Sequence, residues 1–191
     1  MKKTTKIEEA MLVVCSSITR DNQGTTLIPV RYNGWIYACD GHRIMEVRED
    51  IVDKSMLPTV EDDERANILI KVLKSIHDQD AFKNDFLKDK KKVAEWKSAA
   101  RKRYEDAVPN GDRHRITYIA NIDNEYVINL GWVEQAMAAA ETREIYIPDK
   151  SKSPAWVCNE MHTVNTCILP INIIGFKDPV IAYEPFTGKY Y

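Results

Sequence analysis

The chain has 191 residues and a formal net charge of −2, with 44% apolar and 29% charged residues. That length suits one domain plus an elaboration, and the apolar share is enough for a core. The near-neutral balance excludes a global field directed at nucleic acid or membrane surfaces, so any electrostatic signal has to be local. No run of about 18 apolar residues occurs, so no membrane-spanning helix is expected. Glu8 and Glu9 stand where a leader peptide would need its apolar stretch, and a cytoplasmic protein is expected.

Residues 7–18 place Ile7, Met11, Val14, Cys15 and Ile18 at helical spacing, with Glu8 and Glu9 in the first turn and Thr4 or Thr5 as cap. Residues 19–24 are turn chemistry. Residues 26–32 read as a strand, Asn33-Gly34 as a two-residue hairpin turn, and 35–47 as one or two further strands. Pro29 lacks an N–H, which puts its strand at an edge or on a bulge.

Residues 46–64 hold eight acidic and two basic residues. From about 62 to 107 the pattern is helical, with no glycine or proline between Pro58 and Pro109. Ile68, Val72, Leu73 and Ile76 form one apolar stripe, Phe82, Phe86 and Leu87 a second, and Val93, Trp96, Ala100 and Tyr104 a third. Residues 83–103 carry nine basic against three acidic residues, a local excess of six. The chain is therefore electrically polarised along its length.

Pro109-Asn110-Gly111-Asp112 breaks the helical run. Residues 115–122 read as a strand, Asp123-Asn124 as a turn, 125–130 as a short strand and 131–141 as a helix. Residues 144–148, 155–161 and 166–173 alternate as strands. The aromatic tail 181–191 either ties down as an edge strand or dangles. Two halves share one order, a strand, a helix and then three short strands. The expected fold class is α+β, a compact two-layer domain.

Three segments carry a family resemblance. Tyr37-Ala38-Cys39-Asp40-Gly41-His42-Arg43-Ile44 resembles the A-T-D-G-H-R-L segment of bacterial DNA polymerase sliding clamps, which there also follows a hairpin. Val127-Ile128-Asn129-Leu130 with the helix from Gly131 resembles the run that opens a clamp domain's second helix. Cys167-Ile168-Leu169-Pro170-Ile171 resembles the V-L-M-P-V strand that closes the last clamp domain. The resemblance implies a DNA-clamp-like domain of two βαβββ halves, 1–50 and 115–175. A charged helical insertion, 51–114, divides them, and a tail, 176–191, follows. It also implies a non-enzymatic scaffold in DNA replication or maintenance, of phage or mobile-element type, that binds DNA and a replication protein and assembles from several copies. Clamps bind partner peptides in an apolar pocket beside their closing strands, which assigns Leu169, Pro170 and Ile171 to such a pocket.

The chain departs from clamps in its expected ring-lining helices, which carry Glu8, Glu9, Glu134 and Glu141, with Lys6 and Arg143 at their margins. Phosphate binding needs several cations on that face. Any DNA contact therefore moves to Lys88, Lys90, Lys91, Lys92, Lys97, Arg101, Lys102 and Arg103. That stretch reads either as a nucleic-acid patch with Phe86, Trp96 and Tyr104 as stacking residues, or as the solvated face of a helix whose aromatic side is buried.

Asp40-Gly41-His42-Arg43 reads as a structural bend in which Asp40 accepts backbone N–H bonds, with Asp40 and His42 on one strand face and Arg43 on the other. No phosphate-binding glycine motif occurs, and the four histidines are scattered. No catalytic residue, metal or cofactor is expected. Cys15, Cys39, Cys158 and Cys167 read as buried free thiols.

Overall fold

The computed structural model describes residues 6–16, 28–122, 126–149, 152–172, 177–185 and 187–191. The proposed caps Thr4 and Thr5, the turns at 19–24 and 123–124, and Ile18 lie outside them. The protein is α+β. Helix α1 (Lys6–Ser16) leads to β1 (Val30–Tyr32), β2 (Trp35–Cys39) and β3 (Arg43–Arg48). Then come β4 (Val60–Glu61), α2 (Asp63–His77), β5 (Ala81–Asn84) and α3 (Lys90–Ala107). The second half is β6 (Thr117–Ile122), β7 (Tyr126–Asn129), α4 (Leu130–Ala139), β8 (Ile145–Pro148), β9 (Ala155–Cys158) and β10 (Val164–Ile168). Strands β11 (Val180–Glu184) and β12 (Lys189–Tyr190) close the chain. Among the described residues no helix is long and apolar enough to cross a membrane.

An eight-stranded sheet runs in the order β4-β1-β2-β3-β10-β9-β8-β5, and a four-stranded sheet in the order β12-β11-β6-β7. The β1–β2 hairpin turns at Asn33 (φ 49°) and Gly34 (φ 78°), the two left-handed positions that an Asn-Gly turn supplies at least cost. Strands β3 and β10 join the halves antiparallel, and around that pair the ladder repeats. Cys39↔Ile44 and Ile36↔Val47 between β2 and β3 have counterparts in Cys158↔Asn165 and Ala155↔Ile168 between β9 and β10. The ends of the β3–β10 pair repeat too. Leu169 N–H donates to the His42 carbonyl at 2.8 Å, and Arg48 N–H to the Thr163 carbonyl at 2.9 Å. Six central strands and two helices thus follow an approximate twofold axis that sequence identity does not reveal.

Strand alternation sorts the side chains onto two buried faces. Ile36, Ala38, Met45, Val47, Ala155, Val157 and Ile168 pack against α1 and α4. Tyr37, Trp156, Cys158 and Cys167 point the other way and pack under α2. Both faces being covered explains why these strands read as nearly continuous apolar runs.

The insertion 51–114 is not helical throughout. It also supplies β4 and β5, which extend the two edges of the large sheet. The expected stripe of Phe82, Phe86 and Leu87 is the strand β5 and the turn after it. The expected stripe of Ile68, Val72, Leu73 and Ile76 is rotated, because Ala66, Leu69, Leu73 and Ile76 are the residues α2 buries. Ile68 and Val72 stay exposed. The tail is tied down: β11 is mostly buried beside β6, and Tyr191 exchanges backbone hydrogen bonds with Ala182. Cys15, Cys158 and Cys167 are buried free thiols, and Cys39 is half-buried.

Candidate functional site

The site begins at the bend between β2 and β3. Gly41 has φ +81°, a left-handed conformation that breaks strand alternation. The expected separation of Asp40 from Arg43 is therefore wrong, since the reversal brings the two side chains together. Asp40 Oδ1 accepts the backbone N–H groups of His42 at 2.9 Å and Arg43 at 2.6 Å. Asp40 Oδ2 accepts Arg43 Nε at 2.8 Å and Nη2 at 2.6 Å. The side chains are 1% and 3% exposed, so this is a buried and well hydrogen-bonded ion pair.

The pair also fixes the bend to α4. Arg43 Nη1 donates to Gln135 Oε1 at 2.8 Å. The guanidinium lies 5.0 Å from the Trp132 ring centroid, and the exposed His42 ring stacks on Trp132 at 5.5 Å. Asn129 caps α4 by accepting the Trp132 N–H at 3.2 Å, which holds the indole in place.

Beside this bend lies an apolar cleft of about 140 Å³. His42, Arg43 and Ile44 form one wall, Cys167 and Leu169 the second, and Val72 and Ile76 of α2 the third. Pro154 and Cys39 complete the lining. Burial raises the thiols of Cys39 and Cys167 above their ordinary range, so both stay protonated and act as apolar surface. Leu169 and Val72 are each 40% exposed at the mouth. One turn back on α2, Ile68 is 57% exposed, which extends the apolar rim.

Of the three residues assigned to a peptide pocket, only Leu169 lines this cleft. Ile171 turns to the four-stranded sheet, donating its N–H to the Val127 carbonyl at 2.8 Å and packing beside Ile119, Val127 and Ile181. Pro170 is half-buried between them and lies outside the lining. Val72 and Ile76 were read from sequence only as part of an apolar stripe, and Pro154 was not singled out. The out-of-phase Ile68 and Val72 are the signal that marked this helix face.

The basic stretch is largely committed to the protein itself. Lys88 pairs with Asp85, Lys97 with Glu134, Lys102 with Asp106 and Arg103 with Asp178. Lys92 lies 5.1 Å from the Trp96 ring centroid. Lys90, Lys91 and Arg101 make no ion pair among the described residues. Phe86 and Trp96 stack on each other, and buried Tyr104 meets Tyr191 edge-on, so none is displayed as a platform for bases. The supposed acidic lining helices also differ. Glu8 is buried and accepts the Asp53 N–H at 2.8 Å, while Lys97 holds Glu134.

Among the described residues no group of three His, Cys, Asp or Glu side chains could hold a metal. Comparison of the chain with protein-family models, curated proteins and solved structures finds no match.

Proposed function

We propose that this chain is a non-enzymatic binding module, built like one domain of a sliding clamp, that docks a short apolar segment of a partner protein in the cleft between His42 and Leu169. One observation carries the reading. The bend at 40–43 and the stretch after β10 are distant in sequence, yet a backbone hydrogen bond joins them as facing walls of one apolar cleft. A cleft of about 140 Å³ suits one leucine-, methionine- or phenylalanine-sized anchor. The twofold relation of the two halves supports the clamp-type reading, which ties the docking to DNA replication or maintenance. DNA contact through α3 has less support, because among the described residues Lys88, Lys97, Lys102 and Arg103 are held in ion pairs within the chain.

The test is selection of a random peptide library on the protein. Enriched peptides should share a bulky apolar anchor, and Leu169→Asp or Val72→Asp should weaken them by at least about tenfold. Both positions are half-exposed, so these variants keep the fold. Peptides that bind the variants as well as the parent would sink the reading.

Assembly of several copies has its own support. Strands β4 and β5 form the two edges of the large sheet, and the charge each carries is paired within the chain, Glu61 with Arg31 and Lys83 with Glu144. Seven strand spacings put these edges on the order of 34 Å apart. Each edge strand shows an exposed apolar residue, Val60 or Phe82. Sheet edges that show apolar residues favour edge-to-edge pairing between copies.

A further inference from the structure

A second cavity, of about 360 Å³, lies between the start of α3 and the outer face of α4. Leu87, Val93, Ala94 and Met137 supply its apolar surface. Its charged residues are Lys90, Lys97, Arg143 and Glu134. The one carboxylate is already held, since both Glu134 oxygens accept from Lys97 Nζ, at 2.7 and 2.6 Å.

Lys90 and Arg143 have no such partner. Of the cations near them in sequence, Lys83 pairs with Glu144 and Lys88 with Asp85. Among the described residues Lys90 and Arg143 make no ion pair, yet both line one partly apolar cavity. The first turn of α3 adds Lys91 and Lys92 and contains no acidic residue. Among the described residues Lys90 and Arg143 thus keep unpaired charge at the rim of this cavity, with Glu134 held by Lys97.

We infer that this cavity binds an amphipathic anion, a carboxylate, sulfonate or phosphate carried on an apolar or aromatic body. The anionic group lies between Lys90 and Arg143, which offer charge-assisted hydrogen bonds. The apolar body lies over exposed Ala94 and the small accessible edges of Leu87 and Val93. The cavity volume falls within the range of small-molecule sites, which combine apolar walls with a few polar groups. The cavity shares no lining residue with the cleft at His42 and Leu169, so the two sites are independent.

Fluorescence titration of the full chain with anilinonaphthalene sulfonate tests this inference. One saturable site is expected at low salt, displaced by decanoate and not by decanol. The double variant Lys90→Glu/Arg143→Glu should bind the dye about tenfold or more weakly, with an unchanged melting transition. The milder Lys90→Gln/Arg143→Gln pair should fall between, and Leu169→Asp should bind as the parent does. Dye binding that survives the double reversal, or that Leu169→Asp abolishes instead, overturns the inference, as does non-saturable binding.

Discussion

Asp40 is the residue on which the candidate site most depends. It ties two backbone N–H groups and the Arg43 guanidinium into one buried knot. Asp40→Asn leaves Arg43 buried without its counter-charge and should cost about 3–5 kcal/mol, read as a lower denaturation midpoint. Sequence gave the bend and the backbone bonds to Asp40, because a glycine next to an aspartate is turn chemistry. It could not give the Arg43 pairing, since strand alternation applies only while the strand continues, and Gly41 interrupts it. The contacts to Trp132 and Gln135 were equally out of reach, for they depend on how α4 crosses the sheet. Buried groups also set a response to alkali. Burial pushes the Cys15 thiol from 9.0 up to about 11 and the Tyr37 hydroxyl from 10.0 up to about 12. As pH rises, the unfolded chain releases these protons first, so unfolding is progressively favoured. The contribution of these two groups is full below pH 9 and is lost from there towards pH 12. Replacing Cys15 by alanine should flatten the part between pH 9 and 11, a term on the order of 2 kcal/mol in chemical denaturation.

Among the elements, α2 shows most clearly what pattern alone can miss. Its helical character was legible, and Asp62 caps it by accepting the Arg65 N–H at 3.0 Å. Its phase was not, because an apolar stripe shows which residues avoid water without showing what they meet. Leu69 and Leu73 go under the helix, while Ile68 and Val72 are left at the cleft mouth. Truncating a buried member, Leu73→Ala, should cost about 2–5 kcal/mol, seen in urea denaturation. Val72→Asp should change stability far less and remove peptide binding. A large stability loss in Val72→Asp would show that the residue is structural. The tail carries a related lesson. Residues 181–191 read in sequence as an aromatic tail that either ties down as an edge strand or dangles; α3 and β6 hold Val180–Glu184 as a mostly buried strand, and both partners lie far back in the chain.

At the scale of the whole molecule, two halves with no visible sequence identity adopt one ladder pattern around the β3–β10 pair. The sequence carried that symmetry as an order of elements, which was enough for the fold class. It did not carry the edges. The insertion closes the sheet at both ends with short strands, and only the strand order reveals that they lie at opposite edges. Sedimentation velocity should therefore show association that grows with concentration, and Phe82→Glu should abolish it. A strict monomer under all conditions would contradict assembly through the edges and leave the cleft untouched.

The central claim is the location of peptide docking. Amide chemical-shift mapping of the full chain, titrated with a leucine-anchored peptide from the library selection, tests it most directly. Perturbations should cluster at Gly41–Ile44, Val72–Ile76 and Cys167–Leu169. Perturbations centred on Lys90–Arg101, or none at saturating peptide, would contradict it.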